Sequence, residues 1–119
     1  MKSFVSGKIH DCRVTGKSIE YFGSISISAE LMRLAGIQPY EQVHVINLNN
    51  GQRWITYALP TVDSRFTLNG GGARLGEIGD RCVILSYQTS DRFEGAKAVF
   101  CDDQNNPTNV IDYEDIGNW

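Results

Sequence analysis

Glu20-Tyr21-Phe22-Gly23-Ser24-Ile25-Ser26-Ile27 is the most telling stretch of this chain. From Ser24 the residues alternate polar and apolar without a break, which is the period of a strand with Ile25 and Ile27 on one face. Ser28 follows in the position of a helix cap. Its hydroxyl can accept a backbone N–H, and Glu30 suits the positive end of a helix dipole. The spacing predicts a short helix over 29–35 that turns Leu31, Leu34 and Ala35 to the core. Gly36 is placed to end it, and Pro39 stands against its continuation.

Further downstream, residues 43–48 read as a strand and 53–59 as its returning partner. Asn49-Asn50-Gly51-Gln52 reads as a tight two-residue hairpin connection, because Asn-Gly tolerates positive φ. Residues 65–68, 82–87 and 96–100 read as further strands, and Ala73-Arg74-Leu75 as one helical turn. Upstream, residues 8–15 alternate in places as a half-buried strand does, and Gly16-Lys17 reads as a turn. The segment 101–119, with Asp102, Asp103, Asp112, Glu114 and Asp115, reads as a partly ordered acidic tail. Many short strands, frequent turn signals and one clear helix predict an all-β, mainly β fold, a small closed barrel in a single domain over 1–119.

The composition is that of an ordinary globular chain, with 41% hydrophobic and 21% charged residues. The formal net charge is −3 and the 11 basic residues are scattered, which argues against a nucleic-acid surface. No apolar stretch approaches the ~20 residues that span a bilayer, so no membrane partner is expected. Cys12, Cys82 and Cys101 are odd in number and far apart, which suggests free thiols in a reducing, cytoplasmic setting. With only two histidines, no metal cluster is apparent.

Gly23-Ser24 offers a reaction. A serine hydroxyl can attack the carbonyl before it and convert the amide to an ester, provided the fold distorts that bond and supplies donors to the oxyanion. Glycine at the preceding position frees the carbonyl for such a turn. Elimination from the ester, hydration and loss of ammonia leave a pyruvoyl group on the new chain end at position 24. That carbonyl can condense with an amino acid and accept the electrons released on decarboxylation, the work otherwise done by pyridoxal phosphate. The chemistry also needs a cation for carboxylates and a proton donor. Lys8 and Arg53 are candidates for the first and Tyr57 for the second, while the Thr56 hydroxyl can orient the Gly23 carbonyl. On a strand, 53, 55 and 57 share a face and 54 and 56 the other, so Thr56 needs a bulge or a neighbouring subunit to act beside Arg53 and Tyr57. Taken singly these signals are ordinary. Gly-Ser is a common turn pair, a lone lysine is usually solvated, His10 alone is more often structural, and His44 reads as an exposed strand residue. Gly70-Gly71-Gly72 lacks the Lys and Ser/Thr of a phosphate loop.

Together they are specific. Gly7-Lys8-Ile9-His10, Tyr21-Phe22-Gly23-Ser24 and Asn50-Gly51-Gln52-Arg53-Trp54-Ile55-Thr56-Tyr57, extended by Asn69-Gly70 and Gly79-Asp80, resemble the pyruvoyl-dependent aspartate 1-decarboxylases from about Met1 through Tyr87. The resemblance implies a six-stranded double-psi β barrel with one or two short helices. It implies a homotetramer with active sites between neighbours, and cleavage into a β chain, 1–23, and an α chain, 24–119. The implied activity is conversion of L-aspartate to β-alanine and CO2 for pantothenate and coenzyme A supply, with a pyruvoyl group from Ser24 and neither metal nor pyridoxal phosphate. Lys8 and Arg53 match carboxylate-holding positions, Tyr57 the proton donor and Thr56 the hydroxyl of processing. His10, Tyr21, Asn69 and Gly70 match further pocket or cleavage positions.

Three departures accompany the match. Gly71 and Gly72 stand where the family usually has alanine, Trp54 where phenylalanine is usual, and Ile55 where serine is common. Two methyl groups missing beside the pocket point either to room for a substrate larger than aspartate or to a looser, slower loop. Decarboxylation of another amino acid, maturation with a helper protein, and an uncleaved β-barrel binding module therefore stand as alternatives.

Overall fold

A computed structural model of the protein describes residues 1–114. In chain order it contains β1 (Lys2–Arg13), β2 (Gly16–Ser18), β3 (Ser24–Ser28), α1 (Ala29–Ala35), β4 (Gln42–Asn47), β5 (Arg53–Thr61), β6 (Phe66–Asn69), a 3-10 turn (Gly70–Leu75), β7 (Arg81–Ser90), β8 (Ala96–Cys101) and β9 (Pro107–Tyr113). Among the described residues the strands form one mixed sheet in the order β2-β6-β3-β5-β4-β7-β1-β8-β9. The pairs β1/β8, β2/β6 and β3/β5 run parallel. The sheet curls back on itself where β1 ends. There the Thr15 N–H donates to the Phe66 carbonyl at 2.8 Å, and the Phe66 N–H donates to the Thr15 hydroxyl at 3.0 Å. This small, mainly β architecture is the expected class and is consistent with a double-psi β barrel.

The core lies inside the curl. Ile9, Ile25, Ile27, Leu31, Val43, Val45, Phe66, Leu68, Ile84 and Val99 are fully buried, and each large aliphatic side chain among them contributes about 1.5–3 kcal/mol on burial. The helix forms where its signals place it. Ser28 Oγ accepts the Leu31 N–H at 3.3 Å, and Gly36 closes the helix at φ 74°. Met32 joins Leu31 and Ala35 in the core, while Leu34 packs at its edge.

Three local expectations change. The β4–β5 hairpin is longer than a two-residue turn: the Asn47 N–H bonds to the Gln52 carbonyl, and Gly51 N–H reaches back to the Asn47 carbonyl. Of the Asn-Gly pair only Gly51 takes a positive φ, 77°. Gly16-Lys17 is not a turn but the start of β2, because the chain leaving β1 meets the open edge of β6. The acidic segment is a strand through Tyr113, since β8 presents an edge that β9 pairs with. There Lys97 Nζ bonds Asp112 Oδ1 at 2.6 Å, and Asp102 Oδ1 caps the preceding turn by accepting two backbone N–H groups. The rest of the expected tail, 115–119, lies outside the described residues.

Cys12 and Cys82 sit opposite one another on β1 and β7, buried and free. Burial pushes the Cys82 thiol up to about 12. Cys12 is also raised, chiefly by its hydrogen bond with Cys101, and the same contact lowers half-buried Cys101. No helix among the described residues is long and apolar enough to cross a membrane.

Candidate active site

After β2 the chain runs over the surface and then dives. Phe22 is 78% exposed, and Ser24, two residues later, is 2% exposed. The Ser24 hydroxyl accepts a hydrogen bond from Asn69 Nδ2 at 3.0 Å and donates to the Phe22 carbonyl at 3.4 Å. Asn69 is directly opposite Ser24 in the antiparallel β3/β6 pairing, and its amide also donates to Ser26 Oγ at 3.0 Å. The Ser24 hydroxyl is thus held between the Phe22 carbonyl and a buried amide with no charge of its own. Gly70, next in the chain, presses against the same bond. Its φ is +63°, and a Cβ there would lie 2.7 Å from Gly23 Cα, 2.9 Å from Gly23 N and 3.2 Å from the Tyr21 carbonyl oxygen. The close approach holds Gly23 in place, and only glycine permits it.

A second group of candidates occupies the outer face of the sheet. Lys8 is paired with Leu85, Leu85 with His44, and His44 with Ile55, so one row crosses β1, β7, β4 and β5. Arg53 and Tyr57 lie two residues either side of Ile55 and share that face. Lys8, Arg53 and Tyr57 are therefore on one side of the sheet, as strand parity predicts for the latter two. Tyr57 stacks on Tyr40 with ring centroids 6.3 Å apart. His10 shares the Lys8 side of β1 and leans on Phe100 at 5.2 Å, and its Nδ1 is buried with no hydrogen-bond partner. Thr56 pairs with Val43 in an unbroken register, so no bulge brings it round to Arg53 and Tyr57. It sits instead at the level where the chain enters β3, since β3 lies parallel to β5 with Ile25 against Ala58.

Of the second group, Tyr57 lies level with Ser24 on the neighbouring strand, whereas Arg53 and Lys8 stand away from it within one chain. The β3/β5 register puts Ser24 level with Tyr57, and Arg53 is four residues back along β5, roughly 13 Å at strand rise. Lys8 is separated from β3 by β5, β4 and β7, roughly 19 Å across the sheet.

Sequence reasoning missed two neighbours of Arg53. Its Nη2 donates to Tyr87 Oη at 2.9 Å and lies 3.3 Å from His44 Nδ1. His44 was legible in principle, because it faces Ile55 across a recognisable hairpin. Tyr87 was not, because its place depends on the long-range pairing of β4 with β7.

A sequence model of the aspartate decarboxylase family matches residues 1–108. The chain is 45% identical to the aspartate 1-decarboxylase of Trichormus variabilis, with 97% of this chain and 95% of the relative covered. It is 48% identical to that of Acaryochloris marina over 87% of this chain and 84% of the relative. With that of Campylobacter jejuni it shares 40% identity, covering 97% and 95%. This chain belongs to the aspartate decarboxylase family.

Likeness to aspartate decarboxylases thus extends past Tyr87, where the motifs alone had run out, through β8 and into β9. The family also gives meaning to the loop glycines. A Cβ on Gly72 would lie 2.9 Å from Trp54 Nε1 and 3.5 Å from Cε2. The space that a methyl on Gly72 would need is therefore taken by the Trp54 ring. Gly71 differs, because nothing lies within 4 Å of a Cβ there. Gly72→Ala should lower stability by about 1–3 kcal/mol through overpacking against a rigid indole, and Trp54→Phe should restore it. Gly71→Ala should be neutral or stabilising by up to about 1 kcal/mol. Thermal melts of the four proteins check this, and equal effects at 71 and 72 would contradict it.

Proposed function

We propose that this chain cleaves itself between Gly23 and Ser24 and then decarboxylates L-aspartate to β-alanine and CO2. The observation that carries the reading is the buried Ser24 hydroxyl, held by Asn69 beside a glycine that Gly70 grips. In the cleavage, Ser24 Oγ bonds to the Gly23 carbonyl carbon, the Gly23–Ser24 C–N bond breaks and the nitrogen takes up a proton. Loss of the Ser24 Hα expels the Gly23 carboxylate, and water then replaces ammonia. The net change is one water in and one ammonia out. The pyruvoyl group that results supplies an electrophilic carbonyl that accepts the electrons released when carboxylate is lost. The site fits it, because the new chain end is buried with an amide donor beside it.

The chain's other residues supply binding and proton transfer. Arg53 offers a planar fork and Lys8 a point charge for the two carboxylates of aspartate. Tyr57 is the proton donor, and Thr56, level with the entry to β3, orients the Gly23 carbonyl. The separation of Lys8 and Arg53 from Ser24 within one chain supports a site shared between subunits, and a homotetramer is our reading of the assembly. We read the enzyme as cytoplasmic and its product as a pantothenate precursor.

Intact-mass measurement tests the reading. Two species should appear, 1–23 and 24–119, the second lighter by one ammonia than a serine-started peptide. A helper requirement would show as a single species that splits when cell extract is added. Arg53→Ala should be fully cleaved yet lose turnover of aspartate by at least about a hundredfold, the scale of losing a charge-assisted carboxylate contact. An active protein with one unbroken chain would overturn the reading.

A further inference from the structure

An arginine on an exposed hairpin strand ordinarily samples many rotamers, because a long side chain loses about 2 kcal/mol of entropy when fixed. Arg53 is fixed, and by an unusual pair. Its Nη2 donates to Tyr87 Oη at 2.9 Å and meets His44 Nδ1 at 3.3 Å. The rings of His44 and Tyr87 brace each other edge-on, 4.9 Å apart at 68°. Arg53, His44 and Tyr87 come from three consecutive strands of the sheet, β5, β4 and β7. The regular register of these strands sets all three on one face.

The chemistry of the contacts matters as much as their geometry. A guanidinium has only donors, so His44 Nδ1 and Tyr87 Oη both act as acceptors and the His44 proton sits on Nε2. No carboxylate pairs with Arg53 among the described residues. A carboxylate partner would hold the guanidinium equally well but would cancel its charge. Neutral acceptors hold it and leave the full positive charge, with the remaining N–H groups, for an incoming anion.

We propose that His44 and Tyr87 are positioning residues that hold the Arg53 guanidinium uncompensated for a substrate carboxylate. They set affinity for the substrate and do not take part in bond breaking. This rests on the carboxylate-binding role of Arg53 given above.

The test compares Tyr87→Phe, His44→Leu and His44→Asn with the wild type, each confirmed as cleaved by mass, in steady-state kinetics with L-aspartate. Tyr87→Phe keeps the ring against His44 and removes only the acceptor. Asn Oδ1 at position 44 takes the place of Nδ1, and Leu offers no acceptor. KM should rise about three- to tenfold for Tyr87→Phe and His44→Leu, less than the full worth of a hydrogen bond to a charged group because Arg53 is exposed. His44→Asn should stay within about twofold of wild type, and kcat and the extent of self-cleavage should not change in any of the three. Unchanged KM in Tyr87→Phe and His44→Leu would overturn the inference. So would a loss shared equally by kcat and cleavage, or a His44→Asn protein no better than His44→Leu. Arg53→Gln run alongside separates the two levels. If it raises KM steeply while the other variants do not, only the positioning role falls. If it keeps wild-type KM, the role of Arg53 itself falls and this inference with it.

Discussion

Ser24→Ala is expected to give a folded, uncut chain of 119 residues that forms no β-alanine. The change removes one oxygen and nothing else of consequence to the fold. Ser24 Oγ gives up its bonds to Asn69 Nδ2 and the Phe22 carbonyl, but Asn69 Nδ2 keeps its 3.0 Å bond to Ser26 Oγ. One of the two Asn69 amide N–H groups loses its acceptor, so the stability cost is about 1–3 kcal/mol. The melting temperature should therefore drop by roughly 5–15 °C. Chemistry, by contrast, is lost entirely, because no other atom at that position can attack the Gly23 carbonyl or become the new ketone. Mass, melting curve and product assay on one preparation decide the matter. Full turnover by the variant would mean that the electrophile comes from somewhere else.

Gly70→Ala should be nearly as damaging, by a different route. A left-handed backbone at φ +63° costs an alanine about 1–2 kcal/mol. The added Cβ also falls 2.7 Å from Gly23 Cα and 2.9 Å from Gly23 N. Both are backbone atoms, so no flexible side chain can swing aside, and a further cost of about 1–3 kcal/mol from overpacking follows. The relief available is to push Gly23 away from its present place, the one bond whose geometry self-cleavage needs. The melting temperature should fall by roughly 10 °C or more, and cleavage should slow by at least about tenfold even where the chain folds (about 1.4 kcal/mol on the barrier). A time course on denaturing gels measures it. Wild-type cleavage with an unmoved melting temperature would show that the Gly70 contact is incidental.

Features set by neighbours along the chain are legible in the residues themselves. The alternation from Ser24 to Ile27, the Ser28 cap and the Gly36 stop each depend on interactions within a turn or two. Strand parity likewise puts Arg53 and Tyr57 on one face and Thr56 on the other. What escapes such reading is set by partners far away. Gly16-Lys17 is a strand only because β6 offers an edge. Residues 107–113 are a strand only because β8 does, and their largely exposed side chains give no pattern of burial to read. The hairpin apex is evident from Asn-Gly but its length is not, since Asn50 has no need of positive φ. The fit of Trp54 to Gly72 joins positions far apart in the chain, which no local pattern reveals. The link from Lys8 to Arg53 runs through β7 and β4, which no local pattern announces.

The position of β1 would give the proposed scission at Gly23 a thermodynamic consequence. The first 23 residues hold an interior strand, with β7 on one flank and β8 on the other, and β2 adds a grip on β6. Once the backbone is severed, this short peptide is a tenant of the barrel without a tether. Before the cut, renaturation is a unimolecular search; after it, two molecules must find each other at their prevailing dilution. Under the proposed cleavage, maturation would exchange reversibility of folding for reactivity.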